Sequence, residues 1–241
     1  MHTQTPAFDT AQAPKLRFPE FSDNWEVKKL GEIAKFSKGK GISKADIDEN
    51  GTLECIRYGE LYTQYGETIK EIVSKTNIDK EDLVLSEAND VIIPASGETQ
   101  LDIATASCVL KEGVALGGDL NIIKTELNGV FLSYYLNSNK KIEIANLAQG
   151  SSVVHLYANQ LAALSLSIPS KEEQTKIAAF LSAIDEKISI KQKELEELKI
   201  YKKGVMQAIF ANADIAASSE QRAASSEQRA ASSEQRAASS E

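Results

Sequence analysis

Residues 168–210 read IPSKEEQTKIAAFLSAIDEKISIKQKELEELKIYKKGVMQAIF, and no other stretch restricts the fold as much. Pro169 and Ser170 open it, with Glu173 three residues after Ser170, the spacing of a capping box at a helix start. A stripe alternating by four and three follows: Ile177, Leu181, Ile184, Ile188, Lys191, Leu195, Leu198, Lys202, Val205 and Ile209. A mean spacing of 3.5 residues is the pattern of helices that wind around a partner. Lys191 and Lys202 interrupt it, so the seam is imperfect. Some forty residues at ~1.5 Å each make a rod of roughly 60 Å, too long for the core of a small domain. Two readings follow, a coiled-coil arm or a long helix packed on its own domain.

From Ala216 the chain repeats AASSEQR three times and ends on AASSE. Continuing the four-three count from Ile209 gives Asn212, Ala216, Ser219, Ala223 and Ser226, so each unit extends the helix without moving the seam. Ala and Ser bury little and Ser is a mediocre helix former, which leaves residues 216–241 open as helix extension or disordered tail.

Upstream, residues 1–14 read as a disordered lead-in without the charged and apolar regions of a secretory signal. Trp25, Val27, Leu30 and Ile33 are candidate anchors of the segment that follows. Lys38-Gly39-Lys40-Gly41 reads as a flexible basic loop, but completes neither phosphate-loop pattern. Between Thr52 and Lys124 lie short strand signals: LECIRYGELY, a turn at Ala88-Asn89-Asp90 feeding a buried run Val91-Ile92-Ile93-Pro94, and two runs around Gly113 and Gly117-Gly118. Residues 130–148 look helical, and 164–168 look like a final strand. The implied class is α+β: a compact mixed sheet or small barrel over 15–169, then a long coiled-coil-type helix over 170–215.

The net charge of −8 argues against a generic nucleic-acid binder. The deficit sits in residues 1–170, at −7, although 15–40 is locally basic. Cys55 and Cys108 stand far apart and read as reduced, buried thiols of a cytoplasmic protein. No apolar run reaches the length of a membrane span. With only His2 and His155 and no Cys/His cluster, no zinc site or other cofactor is supported. No nucleophile, base and oxyanion donor can be assembled, so an enzyme is not expected and any chemistry belongs to a partner.

An ordered set of short pieces carries a resemblance. Trp25-Glu26 with Leu30-Gly31-Glu32-Ile33, then Asn89-Asp90-Val91-Ile92-Ile93, then Gln149-Gly150-Ser151, then Leu164, Ile168-Pro169, Glu173-Gln174, Ile177-Ala178 and Leu181 together resemble the specificity subunit of type I restriction–modification enzymes. The set spans roughly residues 15–210, and Asn89 stands where the family usually has Gly. The resemblance implies a mixed-sheet target recognition domain that reads one half of a split DNA sequence. In such subunits two domains occur in tandem, two long helices pair antiparallel, and methyltransferase and restriction subunits do the chemistry. One domain and one helix correspond to half of that arrangement, which a homodimer would restore. The implied partners are double-stranded DNA, a methyltransferase subunit and, through it, a restriction subunit, with no membrane.

Candidate phosphate contacts are Lys38, Lys40 and Lys44. Candidate base-edge contacts are Tyr58, Tyr62, Gln64, Ser96, Glu98, Thr99 and Gln100, with Ser151, Ser152, His155 and Tyr157 as a second loop cluster. Candidate pairing residues on the helix are Ile177, Leu181, Ile184, Ile188, Leu195, Leu198, Val205 and Ile209. The competing reading is an interaction protein that binds no DNA and is oligomerised by its helical arm.

Overall fold

The computed structural model describes residues 10–11, 14–150 and 153–238, and divides into two compact units, 1–182 and 183–241. In the first unit a five-stranded sheet holds the centre. Its order is Ala34–Lys38, Leu120–Thr125, Asp90–Pro94, Ser107–Val109 and Thr68–Ile69. Successive side chains of a strand point to opposite faces, and here both faces are covered. Val91, Ile93, Cys108 and Ile123 enter one core, while Ile92, Val109, Leu120 and Ile122 enter another. Burial on both sides is why VIIP and LNII read as unbroken apolar runs rather than alternating ones.

Helices Gln100–Ile103, Gly129–Tyr135 and Lys141–Leu147 cover the first face through Ile103, Leu132 and Ile144. On the second face, Ile56 and Leu116 come from a four-stranded sheet ordered Ser74–Thr76, Leu53–Ile56, Ala115–Leu116, Val84–Leu85. The region 107–125 thus holds three strands rather than two. The helical region 129–147 is interrupted by a π turn, Leu136–Lys140. There Asn137 accepts from Ala106 N (2.7 Å) and donates to Ala106 O (2.9 Å).

The final strand, Ser165–Ile168, pairs antiparallel with Trp25–Lys29, so the end of the recognition segment is tied to its beginning. On the other edge of Trp25–Lys29 lies Thr10–Ala11. There the otherwise unpaired edge of Trp25–Lys29 takes a second partner strand. Both cysteines are free and buried, and burial pushes Cys55 to about 11 and Cys108 to about 12.

Asn89 takes φ +82, a left-handed conformation that favours Gly and that Asn tolerates best among other residues. Its side chain then does what Gly cannot. It accepts from Gly129 N (2.6 Å) and donates to the carbonyls of Thr125 and Leu127 (3.3 and 3.0 Å). The departure from the family pattern therefore adds a staple between two loops.

The long helix runs Lys171–Ala238, 68 residues or ~100 Å at ~1.5 Å each. Only half of the expected capping box forms. Ser170 Oγ accepts from Glu173 N (3.3 Å), but the Glu173 carboxylate turns away to a two-pronged pair with Arg17 (2.7 and 2.6 Å). A fixed guanidinium outcompetes a backbone N–H for a buried carboxylate. Gln174 Nε2 donates to Pro169 O and its Oε1 accepts from Asn128 N (both 2.9 Å). The Pro–Glu-Gln motif is thus a three-way joint between the lead segment, the 125–129 loop and the helix start. Among the described residues no helix is long and apolar enough to cross a membrane.

Candidate nucleic-acid interface

The strand Leu53–Ile56 stops one residue before Arg57, and a 3-10 turn, Tyr58–Glu60, follows. Glu60 organises it. Its carbonyl accepts from the amides of Thr63, Gln64 and Tyr65. Its buried carboxylate accepts from Arg57 N (3.1 Å), Arg57 Nε (3.2 Å), Arg57 Nη2 (3.0 Å) and Ser74 Oγ (2.6 Å). A charge that would be costly to bury is therefore fully bonded. Tyr58 packs half-buried on the second core. Tyr65 is structural too: its hydroxyl accepts from Val73 N (3.1 Å), and burial raises it to about 12. Tyr62 is raised chiefly by burial, with further contributions from Tyr58, Asp102 and Glu98, which places those carboxylates nearby.

This turn forms one wall of an open cleft of about 770 Å³. Lys44, Tyr58 and Gln64 line it, joined by Ser43, Arg57 and Thr63, which the sequence did not single out. Gly117 and Gly118 line it as well. The loop 38–41, expected to be flexible, is pinned: Gly39 N donates to Leu120 O (3.0 Å), Lys40 N to Leu116 O (2.9 Å), and Gly41 O accepts from Gly118 N (2.8 Å). A Cβ on Gly39 would lie 2.0 Å from Gly117 O, so this Gly serves a close backbone crossing. Lys38 and Lys40 are exposed but do not line the cleft. Ser43 holds Asp46 through its hydroxyl (2.6 Å) and amide (2.7 Å), and these bonds lower the carboxyl below its usual range.

The candidates fall into three clusters, at 57–64, 96–100 and 153–157, and the last two meet each other. Ser96–Gly97 pairs antiparallel with Val154–His155, with Ser96 opposite His155. His155 and Tyr157 are exposed, with rings stacked at 6.4 Å. Glu98 and Gln100 are exposed. Two other candidates take part in local packing and capping. Ser96 is buried, and Thr99 caps Gln100–Ile103 by accepting from Asp102 N (3.1 Å) while its hydroxyl donates to Asp102 Oδ2 (2.6 Å). Strand Ser96–Gly97 also packs on the Tyr58–Glu60 turn, which brings all three clusters to one region. Ser151 and Ser152 lie outside the described residues. Among the described residues no group of three or more His, Cys, Asp or Glu is placed to hold a metal.

On the helix, Ile177 and Leu181 are half-buried, while Ile184, Ile188, Leu195, Leu198, Val205 and Ile209 are exposed. Tyr201 and Met206, which flank the stripe, are exposed as well, as are Ile200 and Phe210 away from it.

The family model for the type I restriction modification DNA specificity domain matches residues 22–200. Two curated relatives come from Methanocaldococcus jannaschii. The putative type I restriction enzyme MjaX specificity subunit is 28% identical over 84% of this chain and 46% of its own length. The type I restriction enzyme MjaVIII specificity subunit is 25% identical over 84% of this chain and 49% of its own. The chain therefore spans about half the length of the curated relatives it matches. In fold it is similar to the S subunit of a type I restriction-modification system from M. genitalium, with TM-score 0.55 and 21% identity over 74% of this chain and 43% of that one. It is equally similar, with TM-score 0.55 and 18% identity, to a chain from a structure of type I R-M complex assembly and conformational transition, covering 81% of this chain and 46% of that one.

Proposed function

The chain belongs to the type I restriction–modification DNA specificity family, and from that premise we propose that residues 15–169 read one half of a bipartite DNA target. The observation that carries the proposal is the convergence of the 57–64, 96–100 and 153–157 segments beside a cleft bordered by Lys44 and Arg57. Exposed lysines at 38, 40 and 44 supply phosphate contacts that fix position, while amide, hydroxyl, carboxylate and ring groups at Tyr62, Gln64, Glu98, Gln100, His155 and Tyr157 face base edges. With a net charge of −8 the chain alone holds DNA weakly, so retention requires a methyltransferase subunit, to which a restriction subunit attaches in turn. The chain itself is non-catalytic and acts in the cytoplasm. The helix pairs with that of a second copy through the stripe 177–209, restoring a two-fold reader.

A mobility-shift assay on the full chain, with and without a methyltransferase subunit, tests this. Sequence-selective retention only with the partner is expected. No retention in either case, or methyl transfer by the partner-free chain, defeats it.

The AASSEQR units fit a ruler. Each adds seven residues, ~10.5 Å of helix, which matches about three base pairs of B-form DNA and roughly a hundred degrees of rotation about the duplex. Two-domain versions with two, three and four units should modify targets whose spacers lengthen in step, with unchanged half-sites. One spacer length for all versions makes the repeat a passive linker.

A further inference from the structure

Two kinds of cation border the cleft, and they differ in what they offer DNA. Lys44 is exposed at the cleft, so it acts as a mobile point charge. Arg57 is the opposite. Its side chain is 27% exposed, and both Nε and Nη2 donate to the same oxygen, Glu60 Oε1. Glu60 is held in turn by Ser74 Oγ and by the Arg57 amide. The backbone is fixed on both sides, because Ile56 O accepts from Gly117 N and Arg57 O accepts from Glu60 N.

The pairing cancels Arg57's charge at a distance, so it adds little to the sequence-independent attraction that phosphates exert. It also freezes the plane of the guanidinium and leaves the Nη1 edge for a ligand. A neutralised, pre-aimed pair of donors suits a partner that presents two acceptors side by side. Among the base edges in the major groove, guanine does so with O6 and N7.

We propose that Arg57 reads a guanine of the DNA half-site, with Glu60 and Ser74 as positioning residues; this rests on the DNA-reading role above. Phosphate contact remains with the lysines.

The test uses a pool of DNA duplexes with randomised bases, retained by the full chain in complex with a methyltransferase subunit, for wild type, Arg57→Lys, Arg57→Ala and Ser74→Ala. Arg57→Lys keeps a cation beside buried Glu60, so it keeps the fold where Arg57→Ala fails. The wild-type pool should be enriched in a guanine at one position. In Arg57→Lys that preference should fall roughly ten- to a hundred-fold, with other positions and the salt slope unchanged. Ser74→Ala should relax the same position by a smaller factor. A uniform loss over all sequences with the salt slope reduced by about one marks a phosphate contact and overturns the assignment. Unchanged preference in Arg57→Lys overturns it too, while leaving the DNA-reading role intact. Failure of the wild type to retain any duplex removes that role itself, and the inference with it.

Discussion

The first turns of the long helix and its middle are one continuous α-helix built to opposite rules. At the start, Glu173 and Gln174 are polar and buried, and both side chains are bonded to other segments of the first unit. In the middle, from Ile184 to Phe210, large apolar side chains are exposed: Leu195 at 54%, Leu198 at 63% and Phe210 at 63%. Buried polar groups are tolerated only when bonded, and a long exposed apolar face marks an interaction surface. The start is thus bonded within this chain, while the middle is exposed. Helices in proteins gain most of their stability from tertiary packing of an amphipathic face rather than from propensity.

The largest effect should come from making the middle polar. Each buried Leu is worth about 1.5–3 kcal/mol. Replacing Leu195 and Leu198 by Asp in both copies of a dimer should therefore abolish self-association while leaving residues 15–169 folded. Sedimentation and circular dichroism check this, and a wild-type chain that is monomeric at micromolar concentration with no helix partner breaks the comparison.

Next in size is the start. Gln174→Leu should cost about 2–4 kcal/mol, because the Asn128 amide and the Pro169 carbonyl both lose a buried partner. Denaturant titration measures it, and the dimer should survive. Asn89→Ala removes the adjoining staple and keeps an unfavourable backbone, for about 2 kcal/mol. Asn89→Gly, which relieves the backbone, should cost about half as much. An equal cost for the two variants rejects the conformational argument at φ +82.

The smallest effect concerns a surface turn that is locally satisfied, as the start is. Asp46 is lowered first by the Ser43 hydroxyl and then by its amide. Such a group lends stability above its unfolded value of 3.8, lost as pH falls through the lower folded value. In Ser43→Ala the Asp46 titration, followed by NMR, should move up toward 3.8. An unmoved titration would show that the amide alone holds it.

Much of the framework was legible because it is written in short-range pattern. The buried run 91–93, the helix beginning after Ser170 and the heptad stripe follow from periodicity and capping chemistry, which are local. Arg57 was not legible, since the run LECIRYGELY read as a strand signal that continued past Ile56, where the strand ends. Its role depends on Glu60 and on Ser74, fourteen residues beyond Glu60. An Arg-x-x-Glu spacing across Tyr58-Gly59 was the one available signal. The capping bonds of Thr99 were not legible either, because a capping hydroxyl and a free one are the same residue in a sequence.

Sequence alone determined that this chain carries an α+β domain followed by a heptad helix, and that the AASSEQR units keep the seam in phase. These are properties of neighbours along the chain, set by side-chain spacing and helix geometry. Tertiary structure decided that Glu173 turns from its own cap to Arg17, 156 residues away, and that Gly39 lies against Gly117. It also decided that residues near 57, 96 and 155 share one region. Those outcomes depend on which segments meet across the sheets, where one buried charge can choose among several partners and the best-desolvated geometry wins.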